Sequence, residues 1–313
     1  MTIMQRVAAA PISWGICEVP GWGFQLDPDR VLGEMRDIGF TSTDLGAAGW
    51  LPTDPAGLRE ILDRHQLRLL GAFVPLVLHD PDQADEARRA TRDATALLAD
   101  AGGSHFVTAP VTTLDWGPRQ PLGTPAWDHL VRMLDEVEAV CRDRGLRQVL
   151  HQHAGTVVQD GDELDLVLER SPVQVVLDTG HLAVGGVDAA EFARRHPDRV
   201  GLVHLKDGVR SIAARYLSGE LSWVQAVQAG LFRPLGEGEL PIADTIRALE
   251  AAGYDGWYVL EQDVALAGDE PAPGEGPARD VATSVAYLRT LATDADAVLA
   301  PGEVPPRPVH DQR

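Results

Sequence analysis

What most restricts this chain is a strict alternation, kept from end to end, of short β-like runs with helical patterns. The candidate strands are VAAAPISW (7–14), FTSTDLG (40–46), RLLGAFVPLVL (68–78), HFVTAP (105–110), RQVLHQH (147–153), VQVVLDTG (173–180), VGLVHLK (200–206) and WYVLEQD (257–263). Between them the apolar period becomes helical. Asp27 suits an N-cap and Pro28 a first turn, with Val31, Met35 and Ile38 following on one face. Thr124 and Pro125 suit the same parts ahead of Leu130, Leu134, Val137 and Cys141, an i, i+4, i+7, i+11 stripe. Further helices are expected near 55–65, 82–101, 160–170, 188–196, 241–252 and 277–293. Such alternation implies a parallel sheet with helical crossovers. Eight units in about 250 residues is the size of a closed (β/α)₈ TIM barrel, so the class is α/β with a single domain. An open doubly wound sheet fits less well, because no G-x-G-x-x-G turn follows the first strand.

Two stretches depart from the repeat. Residues 208–240 form an insertion after the seventh strand, containing SWVQAVQAG and then PLGEGEL. The barrel is expected to occupy residues 1–296, leaving a Pro-rich, flexible tail over 297–313. A chain of 313 residues, 44% of them apolar, can bury a large core without disulfides. Cys17 and Cys141, far apart and in no C-x-x-C pattern, read as free thiols in a reducing compartment. No apolar run approaches the roughly 20 residues of a membrane span and the N-terminus has no long apolar h-region, so a cytoplasmic location is expected. The formal net charge of −20, with no basic run, would repel a phosphate backbone and argues against nucleic acid as a partner.

The chemistry collects on the last four strands. Side chains at i and i+2 share one face of a strand, and the outer face of a barrel packs on helices. His151 and His153 should therefore point inward together, as should His204 with Lys206, and Glu261 with Asp263. Asp178 closes its apolar run directly, and His181 lies just beyond it. Taken singly, such a histidine is ordinarily a hydrogen-bonded structural residue, such a carboxylate a helix cap, and such a lysine a snorkelling surface group. Four adjacent strands placing these groups at one rim is another matter. Buried together they would be costly without a shared cation. Mixed N/O ligands suit Mn²⁺, Co²⁺, Zn²⁺ or Fe²⁺. Trp14, Trp22, Trp50 and Trp116 fall in loops on the same rim, where an aromatic face packs on either a sugar or the loop itself. The glycines of PLGEGEL either admit substrate or only shape a turn. Cys17 has no neighbour that would activate it.

In this order APISWG, LHQHAGT, VLDTGHL, VHLKD, PLGEGEL and YVLEQD span residues 10–263. The series resembles the xylose isomerase-like barrel superfamily, and within it the myo-inosose dehydratase group. The resemblance implies one divalent metal, Mn²⁺ or Co²⁺ foremost with Mg²⁺ also admissible, held by His151, Asp178, His204 and Glu261. Sugar epimerases of the superfamily carry Glu at the first of these positions. The H-x-H here marks the dehydratase-like subgroup and leaves open which of its histidines touches the metal. His181 matches a position that contacts substrate, and Trp14 is expected there as well.

The implied reaction is dehydration of a keto-cyclitol, scyllo-inosose, through a metal-stabilised enediolate, with no redox cofactor. Glu261 or a histidine of the H-x-H pair would be the base, and the remaining histidine or Lys206 the acid; His153, Glu261 and Lys206 are the expected catalytic residues, with Lys206 also a substrate contact. A keto-sugar or cyclitol isomerase or epimerase would use the same enediolate. A non-catalytic sugar-binding barrel would leave the polar rim without a purpose. The partner is a small polyol, and members of the superfamily often form homo-oligomers, although no stretch of this sequence marks an interface.

Overall fold

A computed structural model of the chain describes residues 2–299, with side chains described through residue 292. The barrel strands are β1 (Val7–Ala9), β2 (Ser42–Thr43), β3 (Arg68–Leu69), β4 (Gly71–Leu76), β5 (His105–Pro110), β6 (Arg147–His151), β7 (Gln174–Asp178) and β8 (Val200–Leu205). A short ribbon of β9 (Asp207–Gly208) and β10 (Phe232–Arg233) comes next, and β11 (Tyr258–Leu260) returns to the barrel. The sheet order is β3-β2-β1-β11-β8-β7-β6-β5-β4, and every pairing within it is parallel. Its two ends, β3 and β4, are halves of the third expected strand, interrupted only at Leu70. Leu70 donates its N–H to Thr43 O at 2.8 Å and accepts from Ser104 and His105 N–H at 2.8 and 3.0 Å, so this residue closes the ring. The structure is thus the eight-unit barrel that the alternation predicts.

Alternation along the strands sorts the side chains into two layers. Ala8, Val107, Val149, Val176, Leu202 and Val259 meet inside the barrel. Leu150, Leu177, Val203, Leu205, Tyr258 and Leu260 belong to the larger cluster outside it, packed beneath the helices. Those helices include α1 (Pro28–Ile38), α2 (Pro55–Arg64), α3 (Ala84–Asp100), α4 (Thr124–Asp143) and α5 (Gly161–Arg170). Asp27 caps α1 as expected, its carboxylate accepting the Asp29 N–H. At α4 the cap position is Gly123 instead, and Thr124 is the first helical residue, with no side-chain cap bond. The expected stripe of Leu130, Leu134, Val137 and Cys141 is buried.

Beyond β7 the chain enters α6 (Thr179–Val184) and α7 (Ala189–Arg195). The insertion is real: β9 and β10 pair antiparallel and enclose α8 (Arg210–Leu217) and α9 (Trp223–Gln228). Then come α10 (Ile242–Ala251) and α11 (Pro277–Leu299). Of the expected tail, residues 297–299 continue α11 and 300–313 lie outside the described residues. Among the described residues no helix is long and apolar enough to cross a membrane.

PLGEGEL is tied down by one carboxylate. Buried Asp207 accepts backbone N–H groups from Gly208 and Leu240 on Oδ1, at 2.8 and 3.0 Å, and from Gly236 and Gly238 on Oδ2, at 2.9 and 3.1 Å. A Cβ at Gly238 would overlap Asp207 Oδ1, so that glycine is required by the wrap. Asp207→Ala should destabilise the protein by about 3 kcal/mol or more, because it strands several buried donors that a charged acceptor now satisfies. Chemical denaturation reads this directly, and a loss within 1 kcal/mol or so would refute it.

Candidate active site

Two residues beyond each interior apolar residue on four neighbouring strands stands a polar one: Val149 leads to His151, Val176 to Asp178, Leu202 to His204 and Val259 to Glu261. Each of these four offers a ligand atom, and all the atoms lie within 4.8 Å of one another. His151 Nε2 and His204 Nδ1 are both 3.7 Å from Asp178 Oδ2, and His204 Nδ1 abuts Glu261 Oε2.

The way these groups are held suits a cation. His151 Nδ1 lies 2.7 Å from the Gln152 carbonyl, which can only accept, so that nitrogen carries the proton and Nε2 keeps its lone pair. Asp178 divides its oxygens. Oδ1 accepts the N–H groups of Gly180 and His181, both at 2.8 Å, capping α6, while Oδ2 has no hydrogen-bond partner. His151 Nε2, both ring nitrogens of His204, and Glu261 Oε2 are likewise buried without a hydrogen bond. The unpaired oxygens of Asp178 and Glu261 and the His151 lone pair, gathered around His204, are what a divalent cation satisfies once His204 gives up its proton, and the N/O set fits that class.

The rest of the D-T-G-H segment supports the same point. Thr179 Oγ1 donates to Lys206 O and accepts from Lys206 N, each at 2.8 Å, locking the next strand's end. Gly180 has no room for a Cβ, which would meet Lys206 Cδ at 2.7 Å and the Phe232 ring at 2.8 Å. Lys206 itself is fully buried over the Phe232 ring, 5.1 Å from its centroid. Its ammonium donates to Asp263 Oδ1 and to Glu261 Oε1 (3.3 Å), and lies 3.6 Å from Asp178 Oδ2.

A cavity of about 360 Å³ opens above this cluster, lined by His153, His204, Glu261, Asp263 and Asp44 among others. The sequence expectations fare differently here. His153 lines the cavity but is not one of the four converging residues. Its Nδ1 donates to Ala154 O at 2.7 Å, leaving Nε2 as acceptor. His181 is fully buried, its ring tilted against His153 (centroids 3.7 Å apart) and stacked on Trp223 (5.5 Å), and it stays off the wall. Lys206 does not line the cavity either. Trp14 is a correction: it is wholly buried in the core and donates Nε1–H to Glu34 at 2.8 Å, away from the cavity. Trp50 also turns away, donating to Leu26 O, whereas Trp22 and Trp116 do line the wall. Trp223, Tyr216, Phe73 and Asp44 were not singled out. Trp223 and Tyr216 come from the insertion, whose sequence carries no chemical pattern.

Burial and neighbouring charge set the protonation states. Burial drives His151 down to about 3, aided by His204, and His153 down to about 4, aided by Lys206. Both are neutral near pH 7. Burial opposes a charge on His204, but Glu261 and Asp178 outweigh it and raise the ring to about 10. Burial would lift Asp178 and Glu261, yet Lys206 and His204 hold both below the usual carboxylate range. Burial dominates at Asp263, pushed up to about 7 in spite of Lys206. It also raises the Cys17 thiol, which lines the cavity and is thereby kept unreactive.

The comparisons with known proteins agree with the fold. A family model described as "Xylose isomerase-like TIM barrel" matches residues 18–291. An inosose dehydratase of Geobacillus kaustophilus is 31% identical over 276 residues, covering 84% of this chain and 89% of that one. The rhizopine catabolism protein MocC of Rhizobium meliloti is 30% identical over 267 residues, 82% of this chain and 81% of that one. Among solved structures, an L-ribulose 3-epimerase superposes with a TM-score of 0.70 over 96% of this chain and 99% of its own, at 16% identity. That similarity is one of fold.

A ligand histidine must be neutral. With a folded pKa of about 10, His204 is protonated through the neutral range, so metal uptake has to displace its proton. Mn²⁺ titrated calorimetrically in buffers of different ionisation enthalpy should release about one proton at pH 7.5, with affinity rising about tenfold per pH unit from 6.5 to 8.5. Asp178→Asn should weaken Mn²⁺ binding about 100-fold or more, and His153→Ala should leave it nearly intact. Affinity independent of pH, or an Asp178→Asn protein that binds normally, would count against the quartet.

Proposed function

From its place in the xylose isomerase-like TIM barrel family, to which the chain belongs, we propose that the protein is a metal-dependent lyase dehydrating a keto-cyclitol of the inosose type. The relatives named inosose dehydratase point to that substrate class. The cavity is consistent with it. Trp22, Phe73, Trp116 and Trp223 line it, and aromatic side chains of this kind pack on the C–H face of a ring. Arg119, the one arginine among the described lining residues, is engaged by Glu163 and by Thr156 O, which argues for an unphosphorylated substrate. One juxtaposition carries the reading: His153, with Nε2 free to take a proton, opens on the same cavity as His204 and Glu261 of the converging quartet.

Dehydration of a β-hydroxy ketone needs a polarised carbonyl, removal of the α-proton and protonation of the departing hydroxyl. A divalent cation such as Mn²⁺ or Co²⁺, held by His151, Asp178, His204 and Glu261, would supply Lewis-acid stabilisation of the enediolate charge. His153, neutral at pH 7, takes the α-proton on Nε2. Its Nδ1–H bond to Ala154 O fixes the ring and the tautomer for that transfer. His181 and Trp223 buttress His153 from behind. Lys206 positions Glu261 and Asp263 and balances their charge, without reaching substrate.

Metal-stripped protein mixed with scyllo-inosose in D₂O should show no change by proton NMR until Mn²⁺ is added, and then dehydration to the dione. His153→Ala should keep its Mn²⁺ but lose about 10²- to 10⁴-fold in kcat. Metal-dependent epimer formation without dehydration would replace the lyase with an isomerase. No metal-dependent change in any keto-cyclitol or keto-sugar tried would refute both.

A further inference from the structure

Asp44 follows β2 directly at the rim where the other cavity groups stand. Its N–H donates to Ala9 O at 3.1 Å, and the adjacent Leu45 N–H donates to Gly71 O at 2.9 Å, so the position is clamped between β1 and β4. The side chain is 8% exposed, its Oδ1 is buried with no hydrogen-bond partner, and it lines the cavity together with His153, His204 and Glu261. Leaving a buried carboxyl oxygen unsatisfied costs about 1–3 kcal/mol, which a ligand hydroxyl would relieve. In the ring of strands β2 lies diametrically opposite β7, the strand that carries Asp178. A cyclitol whose ketone lies at the quartet therefore turns its further hydroxyls toward Asp44.

We propose that Asp44 contacts the substrate and delivers the proton with which the β-hydroxyl departs as water. The inference rests on the dehydratase reading and fills the one role left without a residue in it. His153 Nε2 takes the α-proton, and the C–H electron pair is held in the enediolate. That pair becomes the new C=C bond as the β C–O bond breaks. The leaving oxygen keeps the electrons of the broken bond, takes the Asp44 proton and departs as water. Asp44 is left as carboxylate and His153 as imidazolium. One proton passed between them through solvent restores both, and nothing external is oxidised or reduced. Burial lifts the Asp44 carboxyl to about 7 against the pull of His204, so its acid form is available near neutrality.

The test compares wild type with Asp44→Asn, both loaded with Mn²⁺ and matched in metal content and circular dichroism, on scyllo-inosose in D₂O. Asp44→Asn should lose about 10²- to 10⁴-fold in dehydration, while the recovered substrate carries deuterium at the α-carbon. A substrate analogue with fluorine in place of the departing hydroxyl needs far less proton assistance, and Asp44→Asn should eliminate fluoride within about tenfold of the wild-type rate. Asp44→Glu should restore part of the dehydration. Dehydration within about threefold of wild type overturns the proposal. So does a uniform loss of exchange, dehydration and defluorination, which would mark a structural role. A wild-type protein inert toward the substrate overturns the dehydratase reading, and the role of Asp44 falls with it.

Discussion

Three buried carboxylates converge on a single lysine at the top of this barrel, and the rest of the site is arranged around that fact. Asp178, Glu261 and Asp263 all reach the Lys206 ammonium, and each is 8% exposed or less. Removing such groups from water costs several kcal/mol apiece unless charge and hydrogen bonds return it. One lysine cannot balance three carboxylates. The neighbouring groups act accordingly: His204 is pulled toward its charged form, and Asp263 toward its neutral one. A dication at the quartet would meet the same deficit with two charges at once, and the oxygens lacking hydrogen bonds already point to where it would sit.

The barrel delivers this layer through the two-residue period of its strands. The interior apolar residues form a buried floor, and the next inward position on each of four strands carries a polar group. Register sets their heights. Asp178 pairs with His204, while His204 pairs with Val259, which raises Glu261 one inward step further. The apolar floor below keeps the local dielectric low, so the same charges act more strongly on a group in the cavity than they would in water.

The same periodicity explains what could be read before the structure and what could not. Eight alternating units, the insertion and the inward sharing of His204 with Lys206 and Glu261 with Asp263 follow from repeat and face. Depth does not. Lys206 and His181 are on the expected side but lie behind the wall, because face assignment says nothing of which neighbour covers a residue. His151 and His153 differ because β6 ends at His151: beyond it the chain turns, the His153 N–H bonding Val158 O, and strand alternation no longer applies. Trp14 was assigned by loop position alone, and a 3-10 turn from Pro11 to Trp14 folds it inward against α1. Asp44 escaped because its strand is two residues long and carries no second polar residue to form a pattern.

Insertion and site are joined through four consecutive residues. In His204-Leu205-Lys206-Asp207 the first belongs to the quartet and the second packs the outer core. The third brackets the carboxylates, and the fourth gathers the backbone of PLGEGEL. Between the last two roles the insertion supplies Phe232 beneath the lysine and Trp223 against His181, which in turn rests against His153. A loosened insertion would therefore remove the apolar floor from Lys206 and the backing from His153 together, and admit water to a site whose electrostatics depend on excluding it. The insertion belongs to the site as much as the strands do, because the chain that closes the cavity is continuous with the chain that sets its charge.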